Sequence, residues 1–265
     1  MGSGVPPYQI LELGPKGHRY CVAVFVINEG KKLLDQLERM RPIAEEVDIL
    51  VADGGSTDGS TSRENLEPRR VRTLLTKTGP GRLSAQMRMA FDYALREGYE
   101  GVVSMDGNNK DDPLAVADFV EALAEGFDYL QGSRFVEGGI ARNTPALRLL
   151  AIQLVHAPLI RHAAGFPYTD TTNGFRGYSR RLLTDPRVAP FRDVFSSYEL
   201  HYYLAIRAAR LGFEVKEIPV TREYPAGGPT PTKIRGLGGY RIVLRDLWRA
   251  CHHRFDPKGK GDFRG

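Results

Sequence analysis

Four short apolar runs, three of them followed directly by Asn or Asp, limit most strongly what this chain can fold into. They are rich in β-branched residues and lie at Tyr20–Ile27, Val47–Ala52, Val71–Leu75 and Gly101–Met105. Continuous apolar runs of this length are typical of parallel strands that are buried on both faces. The stretches 31–40 and 83–97 between them carry apolar side chains at three- and four-residue spacing, which predicts helices that cover the sheet. This alternation predicts an α/β protein with a Rossmann-like, mostly parallel sheet flanked by helices.

The rest of the chain is less regular but continues the same pattern. Helices are predicted over 114–125, 199–211 and 240–252, strands over 128–132 and 213–220, and a glycine- and proline-rich loop over 226–239. We expect one catalytic domain over residues 20–221, preceded by an N-terminal extension over 1–19. Residues 222–265 are expected to form a basic loop and an amphipathic helix that packs on that domain.

Composition and cysteine content narrow the class of protein. At 265 residues with 42% hydrophobic side chains, the chain can bury a substantial core. Cys21 and Cys251 are too few for a disulfide framework, which indicates a reducing compartment. The apolar helical stretch Leu149–Ile160 is shorter than the roughly 20 residues that a membrane span needs. The N-terminus does not have the pattern of a signal peptide, so we expect a cytoplasmic protein.

The positive charge of the chain is concentrated near its C-terminus. From Arg222 onward there are ten Lys and Arg residues and four Asp and Glu residues, and the whole chain carries a formal charge of +5. Such a segment could meet phosphates on a small acceptor, an anionic lipid surface or nucleic acid. Nucleic acid is the least favoured partner, because the basic residues lack interleaved aromatics. The helix over 240–252 either packs on the core or lies peripherally on the cytoplasmic face of a membrane.

Polar side chains follow three of the predicted strands. Asn28 and Glu29 follow the first strand, Asp53 begins the turn DGGSTDGS after the second, and Asp106 and Asn108 follow the fourth. In open α/β sheets, ligands bind beyond the carboxyl ends of the strands, and glycines let the backbone approach a ligand closely. The DGGSTDGS turn alone is equally consistent with an ordinary strand-to-helix turn and a helix cap.

In this order the three turns resemble those of family 2 glycosyltransferases of the GT-A fold. The resemblance covers roughly Cys21 to Val220, and the segments Gly132–Gly139 and Asp170–Tyr178 resemble the dolichyl-phosphate mannose synthase branch. It implies inverting transfer of a sugar from a UDP- or GDP-linked donor to a polyprenyl phosphate. One alternative is transfer to a hydroxyl of a soluble sugar, nucleoside or natural product. The other is a protein that binds nucleotide sugars without turning them over.

The resemblance also implies roles for individual residues. The expected nucleotide-binding residues are Asn28, Glu29, Asp53, Arg82 and Asp106. Asp106 and Asn108 would hold Mg²⁺ or Mn²⁺, and Asp106 and Glu199 are the catalytic candidates. With a hydroxyl acceptor, Glu199 would be the general base. With a phosphate acceptor, it would orient the donor sugar or bracket a cation.

The turn after the fourth strand departs from the family pattern. Where the family commonly has Asp-x-Asp, this chain has Asp106-Gly-Asn108, and Lys110 stands where the mannose synthases have Gln. Hard divalent cations favour charged oxygens, and an ammonium group repels them. We therefore expect the metal to be held weakly or to be replaced in part by Lys110. Asp111 and Asp112 are interpreted mainly as the start of a helix, where one of them acts as the cap.

Several cationic and polar residues are candidates for binding the acceptor or a phosphate. They are Ser133, Arg134, Arg176, Arg222, Lys233 and Arg235. Arginine forks suit phosphate oxygens, and the last three residues flank the glycine-rich loop. The simpler interpretation of these three is a solvated basic loop.

Overall fold

Strands and helices alternate through most of the molecule. A computed structural model of the protein describes residues 4–225 and 236–257, without the side chains of 236–240. The strands are β1 (Tyr8–Glu12), β2 (Tyr20–Val26), β3 (Asp48–Asp53), β4 (Val71–Lys77), β5 (Gly101–Asp106), β6 (Tyr129–Ser133), β7 (Ile140–Arg142), β8 (Arg176–Ser179), β9 (Val215–Pro219) and β10 (Thr221–Glu223). The helices are α1 (Lys31–Met40), α2 (Arg63–Leu66), α3 (Leu83–Arg96), α4 (Val116–Ala124), α5 (Ala146–Ala151), α6 (Ala157–Ala164), α7 (Arg180–Thr184), α8 (Glu199–Arg210) and α9 (Gly236–Cys251).

Eight of these strands form one sheet in the order β1-β4-β3-β2-β5-β8-β6-β9. Strands β2 to β5 pair in parallel, and so do β6 and β9, whereas β8 runs antiparallel to both of its neighbours. Strands β7 and β10 pair in parallel as a separate two-stranded ribbon. The predicted fold class, a mostly parallel sheet flanked by helices, is confirmed.

The sheet is buried on both faces because its strands alternate between two apolar layers. In β2, Cys21, Ala23 and Phe25 belong to the layer formed with α3, α8 and α9. Val22 and Val24 belong to the layer formed with α1 and α4. Each strand therefore shows a continuous apolar run in the sequence, as expected for a sheet with helices on both sides.

The predicted elements agree with the observed ones to within a few residues, with three informative differences. Residues 8–12, inside the expected N-terminal extension, form β1 and pair antiparallel with β4. The helix expected from 114 begins instead as a 3₁₀ turn over Pro113–Ala115, and α4 follows it. The helix expected over 240–252 begins earlier, at Gly236, and ends at Cys251. Most of the predicted loop lies in 226–235, outside the described residues.

Candidate active site

The ends of β2 and β3 are tied together by side chains of their own turns. Asn28 has a positive φ of 48°, and its Oδ1 accepts a hydrogen bond from the Thr57 amide at 2.8 Å. Its own amide donates to Ser56 Oγ at 2.9 Å. From α3, Gln86 Nε2 donates to the carbonyls of Val26 and Ala52. The two turns therefore form one connected edge.

Asp53 organises the turn DGGSTDGS from inside. Its carboxylate is buried and accepts hydrogen bonds from the amides of Gly55 and Ser56 and from Ser56 Oγ at 2.7 Å. Asp58 accepts from Ser60 Oγ and from the Gly30 amide at 2.9 Å. The hydrogen bonds from Ser60 and Gly30 hold the pKa of Asp58 below its ordinary value. The turn therefore encloses the Asp53 carboxylate, whereas Glu29, after β2, is half-buried.

Asp106, at the end of β5, lies beside these turns. Its backbone carbonyl accepts from Gln36 Nε2 of α1 at 3.0 Å, and Gln36 Oε1 accepts from the Asn109 amide at 2.7 Å. Gly107 allows close packing here, because a Cβ at this position would lie 2.4 Å from Val26 Cγ1. Asn109 takes a left-handed conformation with φ of 57°. Gln36 thus fixes both ends of the turn that carries Asp106 and Asn108.

The Asp106 carboxylate is held by groups of the protein itself. Its side chain is 31% exposed, and its Oδ2 accepts from Arg222 Nη2 at 3.3 Å and from Asn108 Nδ2 at 3.2 Å. Arg222 also donates through Nη1 to Asp111 Oδ2 and, at 3.2 Å, to Asn173 Oδ1. Arg222 therefore bridges two carboxylates of one turn.

The chemistry of this turn defines what metal it could hold. Within the described ranges 4–225 and 236–257, no cluster of three or more His, Cys, Asp and Glu is placed to bind a metal ion. Asp106 and the amide oxygen of Asn108 are nevertheless hard donors of the kind that Mg²⁺ and Mn²⁺ accept. Mg²⁺ is commonly held by one or two carboxylates together with substrate phosphates. These residues fit a cation bound jointly with a diphosphate.

Lys110 is buried next to the same site. Its Nζ lies 5.0 Å from the centre of the Tyr224 ring, and its backbone carbonyl accepts from the Glu223 amide at 2.8 Å. Burial lowers the pKa of Lys110, and the positive charge of Arg222 lowers it further. The ammonium group therefore lies within electrostatic reach of Arg222 and Asp106.

A cleft with a volume of about 510 Å³ opens beside this turn, between α1 and the β7–β10 ribbon. We call it the cationic cleft, because four basic residues line it: Lys32, Arg39, Lys110 and Arg142. Two acidic residues, Asp112 and Glu223, share the lining and pair with Arg39 and Arg142 respectively. The balance of charge suits an anion.

Asp111 and Asp112 have different environments although they are adjacent. Asp112 Oδ1 accepts from the Leu114 amide at 3.2 Å, so Asp112 is the predicted cap. Asp111 does not cap a helix. It is 1% exposed and pairs with Arg222. The interpretation of Asp111 as part of a solvated helix start is wrong, because the chain returns 111 residues later and covers it.

Three of the predicted phosphate-binding residues lie inside the fold. Arg134 forms a bidentate pair with Asp170 at 2.6 and 3.0 Å. Arg176 is 2% exposed and donates to the carbonyls of Asn173 and Thr171. Ser133 Oγ hydrogen bonds with Thr169 Oγ1. The described contacts of these residues are with the protein interior. Lys233 and Arg235 lie outside the described residues.

Glu199 and Arg82 lie at a neighbouring point of the edge. Glu199 begins α8, is 3% exposed, and its Oε2 accepts from the Ser197 amide at 2.6 Å. Arg82 is exposed at the start of α3, and its amide donates to the Ser196 carbonyl at 2.6 Å. The segment before α8 thus contacts both residues, because the Ser196 carbonyl binds Arg82 and the Ser197 amide binds Glu199.

Sequence reasoning missed three residues that shape the site: Gln36, Asp111 and Asn173. Gln36 is completely buried in the amphipathic helix α1. The signal available in the sequence was its position, because an amide side chain stands there on the apolar face of the helical pattern. Asn173 lies in the segment Asp170–Tyr178 that was singled out for its resemblance. Only the fold brings Asn173 and Asp111 together at the Nη1 of Arg222.

Comparison with known proteins places this chain in a family. No protein-family model matches the chain. Over 207 residues the chain is 31% identical to a polyprenol monophosphomannose synthase of Mycolicibacterium smegmatis, covering 77% of each protein. It is also 31% identical over 207 residues to an undecaprenyl-phosphate mannosyltransferase of Micrococcus luteus, covering 77% of this chain and 83% of that protein.

Solved structures agree on the fold. The chain superposes with a TM-score of 0.62 on glucosyl-3-phosphoglycerate synthase from Mycobacterium tuberculosis, which was solved with Mn²⁺, UDP and phosphoglyceric acid. The two are 19% identical, and the alignment covers 92% of this chain and 80% of the other. Together with the connected turns at the ends of β2, β3 and β5, the sequence relatives confirm the predicted family. The chain belongs to the family 2 glycosyltransferases of the GT-A fold, with the polyprenyl-phosphate mannosyltransferases among its relatives.

Proposed function

We propose that this glycosyltransferase moves a sugar, with inversion, from a nucleoside diphosphate sugar to a polyprenyl phosphate. The acceptor phosphate oxygen forms the new bond to the anomeric carbon while the bond from that carbon to the diphosphate breaks. The nucleoside diphosphate leaves with the electron pair of the broken bond. The names of the relatives support the acceptor class. The observation that carries the proposal is the cationic cleft beside Asp106, next to an exposed apolar helical segment.

The donor would lie across the ends of β2, β3 and β5. In this proposal Asn28, Glu29, Asp53 and Arg82 surround the nucleoside, while Asp106 and Asn108 face the diphosphate. Mg²⁺ or Mn²⁺, held by Asp106 and Asn108 together with the diphosphate, would neutralise charge on the leaving group. Arg222 and Lys110 supply fixed positive charge at the same place, and fixed charges in a desolvated site stabilise a developing anion strongly.

The acceptor phosphate would enter the cationic cleft. A phosphate monoester is mostly a dianion at neutral pH, because its second pKa is about 6. Such a nucleophile needs positioning by cations more than it needs a general base. We therefore assign Glu199 a positioning role, in keeping with its burial and its hydrogen bond to the Ser197 amide. A hydroxyl acceptor would instead require a base that can reach it.

The lipid chain of such an acceptor needs an apolar surface next to the cleft. We call the segment from α5 to α6, joined by a π-helix over Ile152–His156, the apolar segment. It begins four residues after Arg142, which lines the cleft. Its exposed side chains include Leu147 and Leu154, which are 80% and 70% exposed. Arg148 anchors it to the cleft by donating to the Tyr224 hydroxyl at 2.7 Å.

An apolar surface with neighbouring arginines suits an anionic membrane surface. Trp248 and Leu244 of α9 are also about half exposed, and α9 contacts α6. Within residues 4–225 and 236–257, the structure contains no helix long and apolar enough to cross a bilayer. From the exposed apolar side chains of the apolar segment and of α9, we propose that the protein reaches its acceptor by lying peripherally on the membrane.

Activity with defined substrates tests the proposed function. We would incubate the protein with UDP- or GDP-linked hexoses, with Mg²⁺ or Mn²⁺, and with either a short-chain polyprenyl phosphate or soluble sugars. Glycosyl transfer to the lipid phosphate with inverted configuration is the expected result. Transfer only to a hydroxyl would reject the acceptor assignment. Nucleotide binding without transfer or donor hydrolysis would instead support the alternative that the protein binds nucleotide sugars without turning them over.

A further inference from the structure

Arg222 occupies a position between the two carboxylates of the turn that follows β5. Its Nη2 lies 3.3 Å from Asp106 Oδ2, and its Nη1 contacts Asp111 Oδ2 and lies 3.2 Å from Asn173 Oδ1. The side chain of Arg222 is 8% exposed and that of Asp111 is fully buried. The guanidinium group is thus anchored at one nitrogen and directed at Asp106 with the other.

The backbone fixes this arrangement. Strand β10 pairs with β7, and Arg222 additionally forms an antiparallel bridge with Asp111. The amide of Asp112 donates to the Thr221 carbonyl at 3.0 Å, and the amide of Glu223 donates to the Lys110 carbonyl at 2.8 Å. The strand that carries Arg222 and the turn that carries Asp106 are therefore joined through the backbone as well as through side chains. Arg222 is a built-in neighbour of Asp106 and not a chance surface contact.

A guanidinium group and a divalent cation compete for the same carboxylate oxygens. Asp106 Oδ2 already accepts two hydrogen bonds, one from Arg222 and one from Asn108. Asn108 turns its Nδ2 toward Asp106, and its Oδ1 accepts from the Lys110 amide at 3.3 Å. A metal ion would have to displace these donors, and it would meet the positive charges of Arg222 and Lys110 at short range.

We propose that Arg222 is the resident counter-ion of Asp106 and keeps divalent cations out of the nucleotide-free site. The cation then binds only together with a nucleoside diphosphate. The diphosphate oxygens accept the hydrogen bond of Arg222 Nη2 in place of Asp106 and complete the coordination of the cation. Asp111 and Asn173 continue to hold Nη1, so Arg222 stays in place. Binding of metal and binding of nucleotide are therefore positively coupled, and each strengthens the other by the same factor. This inference rests on the proposed donor site at Asp106.

Direct measurement of metal binding tests this inference without any transfer assay. We would titrate the full chain with Mn²⁺, with and without UDP or GDP, and measure the concentration of free Mn²⁺ by electron paramagnetic resonance. The same titrations without protein correct for Mn²⁺ that is bound by the nucleotide alone. Without nucleotide, the unsubstituted protein is expected to bind Mn²⁺ weakly. With its nucleotide, it is expected to bind Mn²⁺ at least roughly tenfold more tightly. In Arg222→Gln the nucleotide-free protein should bind Mn²⁺ roughly tenfold more tightly, so the coupling should shrink.

Two further variants make the experiment decisive. Arg222→Gln leaves Asp111 buried without its partner, so the double variant Arg222→Gln with Asp111→Asn replaces the buried pair by two amides and guards against misfolding. Arg142→Gln is the matched control, because it removes an exposed arginine from the neighbouring strand β7. It should change nucleotide-free Mn²⁺ binding by no more than about twofold, since exposed charges are screened.

The contrary outcomes are equally clear. Tight Mn²⁺ binding by the unsubstituted protein without nucleotide would overturn the inference. So would unchanged Mn²⁺ affinity in a folded Arg222 variant, or an equal gain in Arg142→Gln, which would point to a general field effect. Failure of sugar transfer to a polyprenyl phosphate would count against the proposed function alone, because the metal titration involves no acceptor.

Discussion

At the scale of single residues, the site depends on charged side chains that are buried only because they are paired. Arg134 and Asp170 are both nearly inaccessible and meet in a bidentate pair beneath β6. Burial raises the pKa of Asp170, but the hydrogen bonds and charge of Arg134 outweigh it, so the pKa lies below its ordinary value. Arg222 and Asp111 are likewise buried as a pair, but there burial outweighs the charge of Arg222 and raises the pKa of Asp111. These pairs hold the chain segments that surround the cleft.

The pair predicts a defined dependence of stability on pH. Because folding lowers the pKa of Asp170, its contribution is fully present above the unfolded value of about 3.9 and is lost as the pH falls through the folded value. We expect Asp170→Asn to reduce the free energy of unfolding by about 3 kcal/mol at pH 7. The difference from the unsubstituted protein should narrow below about pH 4.

Urea unfolding at several pH values measures this effect. Asp35→Asn is the control, because Asp35 forms an exposed pair with Lys31 four residues away in α1 and should change stability by less than about 0.5 kcal/mol. If the difference in unfolding free energy between Asp170→Asn and the unsubstituted protein stays constant between pH 7 and pH 3, the assignment of this pKa shift is contradicted.

At the scale of elements, helix α1 does more than cover the sheet. Its buried face carries Leu33, Leu37 and Met40 into the apolar layer, and Gln36 lies on the same face. The amide of Gln36 bonds to the backbone at Asp106 and at Asn109. The packing of one helix therefore sets the shape of the turn that carries Asp106 and Asn108.

Replacing Gln36 tests this coupling. We expect Gln36→Leu to lower the free energy of unfolding by about 1–3 kcal/mol, because two backbone groups lose their partners. It should also weaken nucleotide binding, because the turn with Asp106 and Asn108 loses its support. The exposed Glu38→Leu in the same helix should change both quantities little.

Urea unfolding and nucleotide-dependent thermal shifts measure the two effects of Gln36→Leu separately. Loss of stability with full nucleotide affinity would show that the turn keeps its shape without Gln36. In that case α1 would matter for packing alone.

At the scale of the whole molecule, polar and apolar surfaces meet at one place. The cationic cleft and the apolar segment are adjacent in the chain, and Tyr224 joins them by contacts with Lys110 and Arg148. An acceptor with a phosphate head and a long apolar chain matches a cationic cleft that lies next to an apolar surface. The arrangement predicts that membrane contact and acceptor binding use neighbouring surfaces.

We expect the double variant Leu147→Ser with Leu154→Ser to bind anionic vesicles at least roughly tenfold more weakly, since burying a leucine contributes about 1.5–3 kcal/mol. Activity on a short, water-soluble polyprenyl phosphate should be retained. Co-sedimentation with vesicles measures the binding. Ile10→Ser is the control, because Ile10 is exposed on the edge strand β1. Equal vesicle binding by the double variant would contradict the proposed membrane surface.

The sequence predicted the sheet and the polar turns at its carboxyl edge because those signals are local. Buried strands show as apolar runs, and the carboxyl ends of β2, β3 and β5 show as abrupt changes to Asn, Asp and Gly. The cationic residues were harder to interpret. Arg134 and Arg176 look like phosphate ligands in the sequence, whereas the fold pairs them internally. Whether an arginine is buried depends on segments that are distant in the chain.

The sequence by itself determined the family, the order of the three turns and the departure from Asp-x-Asp at Asn108 and Lys110. Only the tertiary structure decided that Asp111 is buried and that Arg222 reaches Asp106, because that contact joins residues 116 positions apart. Secondary structure follows short-range patterns of apolar and polar residues, which a sequence displays directly. The charge environment of a carboxylate depends on which distant groups the fold brings within a few ångströms, and that is decided when the β7–β10 ribbon packs against the turn after β5.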